Sequence, residues 1–162
     1  HRVLMKVTET RPELLYPSWD FFVKHLKSDN SYHKMSATHL LANLVNIDTE
    51  NRFEEIFDLF YGLLDDRSMV VAYYVAQTSA KIIRAKPEME SRIIGRLLAI
   101  DETHHPAGRK ELIKAGIIEA FDELFDDTGI RPEILNFVRE QLGSESRKTA
   151  KLAKAFLEKW GG

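Results

Sequence analysis

Apolar residues recur along the chain at spacings of three and four, the period of a helix with one buried face. The pattern is clearest between Phe53 and Arg84. Phe53, Ile56, Phe57, Phe60, Leu63 and Leu64 share one face of a first helix. Asn51 followed by Glu54 reads as its cap signature. Asp65 and Asp66 then break the pattern, and either can accept backbone N–H bonds where a second helix begins. That helix carries Met69, Val70, Tyr73, Ala76, Ala80 and Ile83 on one side, widened by Val71, Val75, Ser79 and Ile82. So broad an apolar face fits a helix with neighbours on both sides. Tyr74, Gln77, Lys81 and Arg84 occupy the face left over.

The hairpin repeats. The stretch from Trp19 to Leu26 has its counterpart 38 positions later, from Phe57 to Leu64. The same offset of 38 carries Met35 to Tyr73, Ala42 to Ala80, Leu44 to Ile82 and Val45 to Ile83. Pro-Glu pairs at Pro12, Pro87 and Pro132 mark the start of first helices, with Thr49-Glu50 in the equivalent place between. Proline in the first turn forfeits no hydrogen bond, and glutamate there complements the positive helix end. The glutamates of these markers, Glu13, Glu50, Glu88 and Glu133, are spaced by 37, 38 and 45. One domain of four units follows: 11–47, 48–85, 86–127 and 128–162. Helices are predicted over 12–27 and 31–46, over 87–100 and from Pro106 to Phe125, and over 132–142 and 145–160. Leu112, Ile117, Phe121, Leu142, Ala155, Phe156 and Trp160 are expected inward, as is Trp19. Residues 1–10 read as the end of a second helix from an upstream unit, or as a truncated cap.

The connector and helix start Leu64-Asp65-Asp66-Arg67-Ser68-Met69-Val70-Val71-Ala72, with Ala76 and Ala80, resemble a HEAT repeat and, more loosely, an armadillo repeat. Unit one has a weaker copy running from Leu26 to Lys34, with Ala37 and Ala42. Units three and four lack the Asp-Pro/Val-Arg connector of the family. The resemblance implies an all-α, right-handed α-α superhelix of about four helical hairpins whose second helices line an inner face. A compact, non-repeating helical bundle is the alternative. Proteins of this type are mostly cytoplasmic scaffolds and adaptors that bind other proteins. A few bind nucleic acid, and some are DNA-alkylation-repair enzymes. Fold alone does not choose among these.

Composition narrows the choice. The net charge of −2 carries no basic footprint, so nucleic acid is a poor expectation. There is no cysteine, which excludes disulfides, thiol nucleophiles and thiolate metal sites. No apolar run is long enough for a membrane span. Neither a phosphate-binding glycine loop nor a nucleophile motif is present, so no catalytic residue and no cofactor are assigned.

The candidate protein-binding residues are the outward positions of the second helices: His39 and Asn43, then Tyr74, Gln77, Lys81 and Arg84. Lys6, Ser36, Glu111, Glu119 and Asp122 extend the same row. The expected partner is a protein not identifiable from the sequence; oligomeric state is not legible. Asp101, Glu102, His104 and His105 have the chemistry of metal ligands but no fixed ligand spacing, and they read as a capped connector; no metal is assigned. Lys148, Lys151 and Lys154, with Arg147 and Lys159 nearby, form a basic helix face that keeps the end of a stack soluble or docks an acidic group.

Overall fold

The computed structural model describes residues 1–161. They form nine α-helices and, among the described residues, no strand. In order these are α1 (Arg2–Thr10), α2 (Trp19–Leu26), α3 (Ser31–Leu44), α4 (Arg52–Gly62), α5 (Met69–Ala85), α6 (Glu90–Leu98), α7 (Ala107–Leu124), α8 (Arg131–Glu140) and α9 (Arg147–Trp160). The principal contacts run from α1 to α3, α3 to α5, α5 to α7 and α7 to α9, so every second helix lies against the next one of its kind. Helices α2, α6 and α8 pack on α3, α5 and α9. One apolar cluster runs from Trp19 to Phe156, and its largest enclosed side chains are Trp19, Tyr61, Phe53, Phe57, Phe60 and Phe121.

Helix α5 is the centre. It buries Val71, Ala72, Val75, Ala76, Thr78, Ser79, Ala80, Ile82 and Ile83, while Met69 and Tyr73 of the expected face are half-buried. Small residues bring its neighbours close. At Gly116 on α7, an added Cβ would stand 2.9 Å from the carbonyl oxygen of Tyr73 on α5. The hydroxyl of Tyr61, enclosed in the core, donates to Ser79 Oγ at 3.0 Å, which satisfies a phenol that burial holds above its ordinary pKa.

Several expectations are corrected. Pro12-Glu13 and Pro87-Glu88 do not open α-helices; each sits in a 3-10 turn ahead of one, Pro12–Leu14 and Pro87–Met89. Pro17 enforces a further 3-10 turn, Tyr16–Ser18, because it has no N–H to continue a helix, and α2 begins only at Trp19. Pro132 lies inside the first turn of α8 itself. The spacing of 45 therefore reflects in part a marker that moves relative to its helix, since α6 and α8 themselves begin 41 residues apart. Side-chain bonds between α7 and α9 keep the offset of 38, from Thr149 Oγ1 to the Glu111 carbonyl and from Trp160 Nε1 to Asp122. Val70, Leu112, Leu142 and Ala155, expected inside, are exposed. Trp160 is half-buried.

The N-terminus of α4 corrects another. Asn51 adopts a left-handed backbone, φ 56°, and caps nothing. Asp48 does the capping: Oδ1 accepts from the Arg52 amide at 2.9 Å and Oδ2 from the Phe53 amide at 2.8 Å. Oδ1 also accepts from the Tyr16 hydroxyl at 2.7 Å. The buried Lys86 ammonium lies 3.3 Å from Oδ2 and donates to the Asp48 carbonyl, to Asn51 Oδ1 and to Glu54. Burial alone would raise the Asp48 pKa, but the Tyr16 hydroxyl, the two amides and Lys86 outweigh it and hold the carboxyl below its usual range. Burial likewise opposes a charged Lys86, and Glu54 with Asp48 outweighs it in the other direction.

Two predictions follow from this packing. Gly116→Ala should lower stability by about 1–3 kcal/mol through overpacking against the Tyr73 carbonyl. Gly108→Ala, on an open helix surface, should be neutral or gain up to about 1 kcal/mol. Thermal denaturation of the pair decides it; equal shifts would mean that α5 and α7 are not in close approach. Asp48→Asn should destabilise at neutral pH by about 2–3 kcal/mol, because Lys86 keeps only Glu54 as a charged partner. The folded pKa of Asp48 is depressed, so its contribution is full above the unfolded value of ~4 and is lost as pH falls through the folded value. The stability gap between wild type and Asp48→Asn should therefore narrow below about pH 4 in urea titrations.

Candidate functional site

The alignment of α3, α5, α7 and α9 brings their outward side chains onto one face, and side chains of neighbouring helices meet across it. Lys81 Nζ donates to Asn43 Oδ1 at 2.8 Å, and these two are 38 positions apart. The Asn43 amide donates onward to Thr8 Oγ1 on α1 at 3.0 Å. The ring of Tyr74 packs on that of His39, 4.6 Å between centroids. Gln77 Nε2 and the Tyr73 hydroxyl donate to the two oxygens of Glu119, each at 2.6 Å. Lys148 Nζ donates to the Tyr73 hydroxyl at 2.8 Å and stands 4.7 Å from the centre of its ring. Arg84 Nη2 donates to the Glu123 carbonyl at 2.7 Å, with the Glu123 carboxylate 3.5 Å from Nη1. Trp160 Nε1 donates to Asp122 at 2.8 Å beside Lys159.

The six residues singled out in the sequence, His39, Asn43, Tyr74, Gln77, Lys81 and Arg84, thus share one face, each engaged with the neighbouring second helix. Asn43, Lys81 and Arg84 also line an open groove of about 340 Å³ with Thr8, Glu9, Pro12 and Asn46. Glu119 and Asp122 join the same face. Glu111 leaves it, turning to Lys114 at 2.8 Å and to the Ser144 hydroxyl. Ser36 bonds the His1 ring at 2.6 Å.

Electrostatics follow from these contacts. Burial disfavours a charged His39, and the neighbouring Lys81 ammonium adds to that, so its pKa is lowered. Burial and the Glu119 carboxylate raise the Tyr73 phenol. The Tyr73 hydroxyl, ahead of Glu119, raises Lys148.

The Asp101–His105 connector is divided among separate partners. Asp101 pairs with the buried Lys114 at 3.0 Å, His104 donates to Asp65, and His105 Nε2–H, buried, donates to the Leu64 carbonyl at 2.9 Å. Among the described residues no three His, Asp or Glu side chains are gathered as metal ligands. No described helix is long and apolar enough to cross a membrane.

Compared with family models, with curated proteins and with solved structures, the chain matches none, and no family is identified.

Sequence reasoning missed the apolar part of this face. Val70 is 45% exposed and Leu112 38% exposed, where both were expected in the core. For Leu112 the signal was present, since it stands 38 positions after Tyr74, assigned outward; Val70 stands 38 after Tyr32, whose 55% exposure the structure shows. Carrying the outward position of Tyr74 forward by 38 would have placed Leu112 on the surface.

His39 reports on the face. In a histidine NMR titration its midpoint should lie below the ordinary ~6.5. Lys81→Gln should raise that midpoint while leaving it below ~6.5, since burial against Tyr74 persists. A midpoint unmoved by Lys81→Gln would sever the coupling of the two side chains.

Proposed function

We propose that this chain is a HEAT-like stack of about four helical hairpins, a right-handed α-α superhelix, that works as a non-enzymatic scaffold or adaptor and binds a protein partner along its second-helix face. The stacking part is supported by the recurrence of the 38-residue offset in side-chain bonds between successive units. It joins Asn43 to Lys81, Asp29 to Arg67, Asp48 to Lys86, Asp58 to Arg96 and Asp122 to Trp160. Contacts made chiefly between successive units are the arrangement expected of a solenoid; one bond, from Lys148 to the Tyr73 hydroxyl, skips a unit.

The observation that carries the binding reading is the groove at Asn43, Lys81 and Arg84. It crosses α1, α3 and α5, and two cations stand over it. Lys81 has a neutral partner in Asn43, which leaves its charge available to a carboxylate from outside. Glu119, Asp122 and Glu123 share the face and oppose phosphate, which favours a protein over nucleic acid.

The test is affinity capture from the source cell with mass spectrometry, wild type against Lys81→Glu/Arg84→Glu. The Arg84–Glu123 pair is about half exposed and contributes at most about 1 kcal/mol, so the double variant should keep its melting temperature within a few degrees. A protein retained by wild type and lost by the folded variant is the expected result. A partner captured equally by both would move binding off this groove.

A further inference from the structure

The N-terminal turns of the second helices carry an apolar patch with a charged border. Met69, Val70, Tyr73 and Tyr74 on α5, Leu112 on α7 and Lys148 on α9 enclose a pocket of about 210 Å³. Its walls are mostly carbon, and Val70 and Leu112 open onto solvent. Single exposed aliphatic residues mean little, but here they converge from two helices on one concavity. The pocket is smaller than the ~300–1,000 Å³ typical of small-molecule sites, and it suits one large side chain.

The border is basic on one side. Lys148 forms part of the wall. Arg147 adjoins it, and Lys151 follows one helical turn along α9; both are exposed. Among the described residues neither Arg147 nor Lys151 has a carboxylate within ion-pair distance, while Lys148 and Lys159 have Glu119 and Asp122. An apolar hole with Lys148 in its wall, on a helix whose neighbouring Arg147 and Lys151 carry no carboxylate partner among the described residues, is complementary to an apolar side chain with an acidic flank.

We propose that this pocket receives one large apolar side chain of an acidic peptide segment, whose carboxylates lie against Arg147, Lys148 and Lys151. The proposal rests on the second-helix face being the binding face and names the chemistry of what it takes. The apolar side chain anchors the segment in the pocket, and the acidic flank sets its orientation and speeds encounter.

Fluorescein-labelled dodecapeptides with glutamate and aspartate around a central leucine, phenylalanine or tryptophan test it by anisotropy. Matched controls carry a central alanine or lysine flanks. At least one acidic, centrally apolar peptide should bind wild type, and its alanine and lysine counterparts should bind about tenfold more weakly or not at all. Val70→Glu and Leu112→Glu should each weaken binding by about tenfold. Arg147→Glu/Lys151→Glu should weaken it several-fold, with the loss shrinking as salt rises. All four positions are exposed, so unchanged circular dichroism and melting should accompany these losses. Absence of binding by every acidic peptide overturns the proposal. So does binding indifferent to Val70→Glu and Leu112→Glu, or concentration-dependent dimerisation that those variants abolish while no peptide binds. Loss of the captured partner on Lys81→Glu/Arg84→Glu without any peptide binding would reject this pocket and leave the groove reading intact.

Discussion

A single buried carboxylate joins distant segments of this protein. Asp48 closes the N-terminus of α4, receives the Tyr16 hydroxyl from the turn before α2, and meets the ammonium of Lys86 at the end of α5. Three segments that are distant in sequence take their relative positions from one pair of oxygens. Its charge is tolerable inside the protein only because every lone pair is met, by two amides, a phenol and a cation. Removing any one partner leaves a buried charge short of compensation, a larger penalty than the value of the bond itself.

From that fixed corner the second helices can lie side by side. Their apolar faces enclose the core, and their polar faces bond across the surface in register. The two sets of contacts have different characters. Burial of Val71, Val75, Ile82 and Phe121 supplies most of the stabilisation, whereas the half-exposed pairs Arg84–Glu123 and Lys159–Asp122 contribute little and can exchange with outside groups. A surface of this sort keeps its shape through its core and remains free to rearrange its charges.

Much of the fold was legible because helical periodicity is strong where one face is buried. The hairpin of α4 and α5 and the starts of α3 and α7 lie where the apolar pattern and its punctuation put them. What escaped was local chemistry that periodicity does not encode. Asn51 looked like a cap because of its residue type, yet the geometry gave that task to Asp48, three positions earlier, and left Asn51 in a left-handed turn. Lys86 was invisible as a buried cation, since lysine is rarely enclosed and its carboxylate partners come from another unit. Val70 and Leu112 were assigned inward because an apolar residue near an apolar stripe looks internal; only their place relative to Tyr32 and Tyr74 separates them from the core. The six candidate residues lie on one face, while Glu111, expected in the same row, turns away to Lys114 and Ser144. That its members bond to one another across units required the three-dimensional register.

The bonds between residues 38 apart have a consequence for how such a chain can be altered. Asn43 and Lys81, and likewise Asp122 and Trp160, bond directly across 38 positions of sequence. A substitution on one side of such a bond changes which side chains can serve on the other, 38 positions away, so the two positions are best varied together.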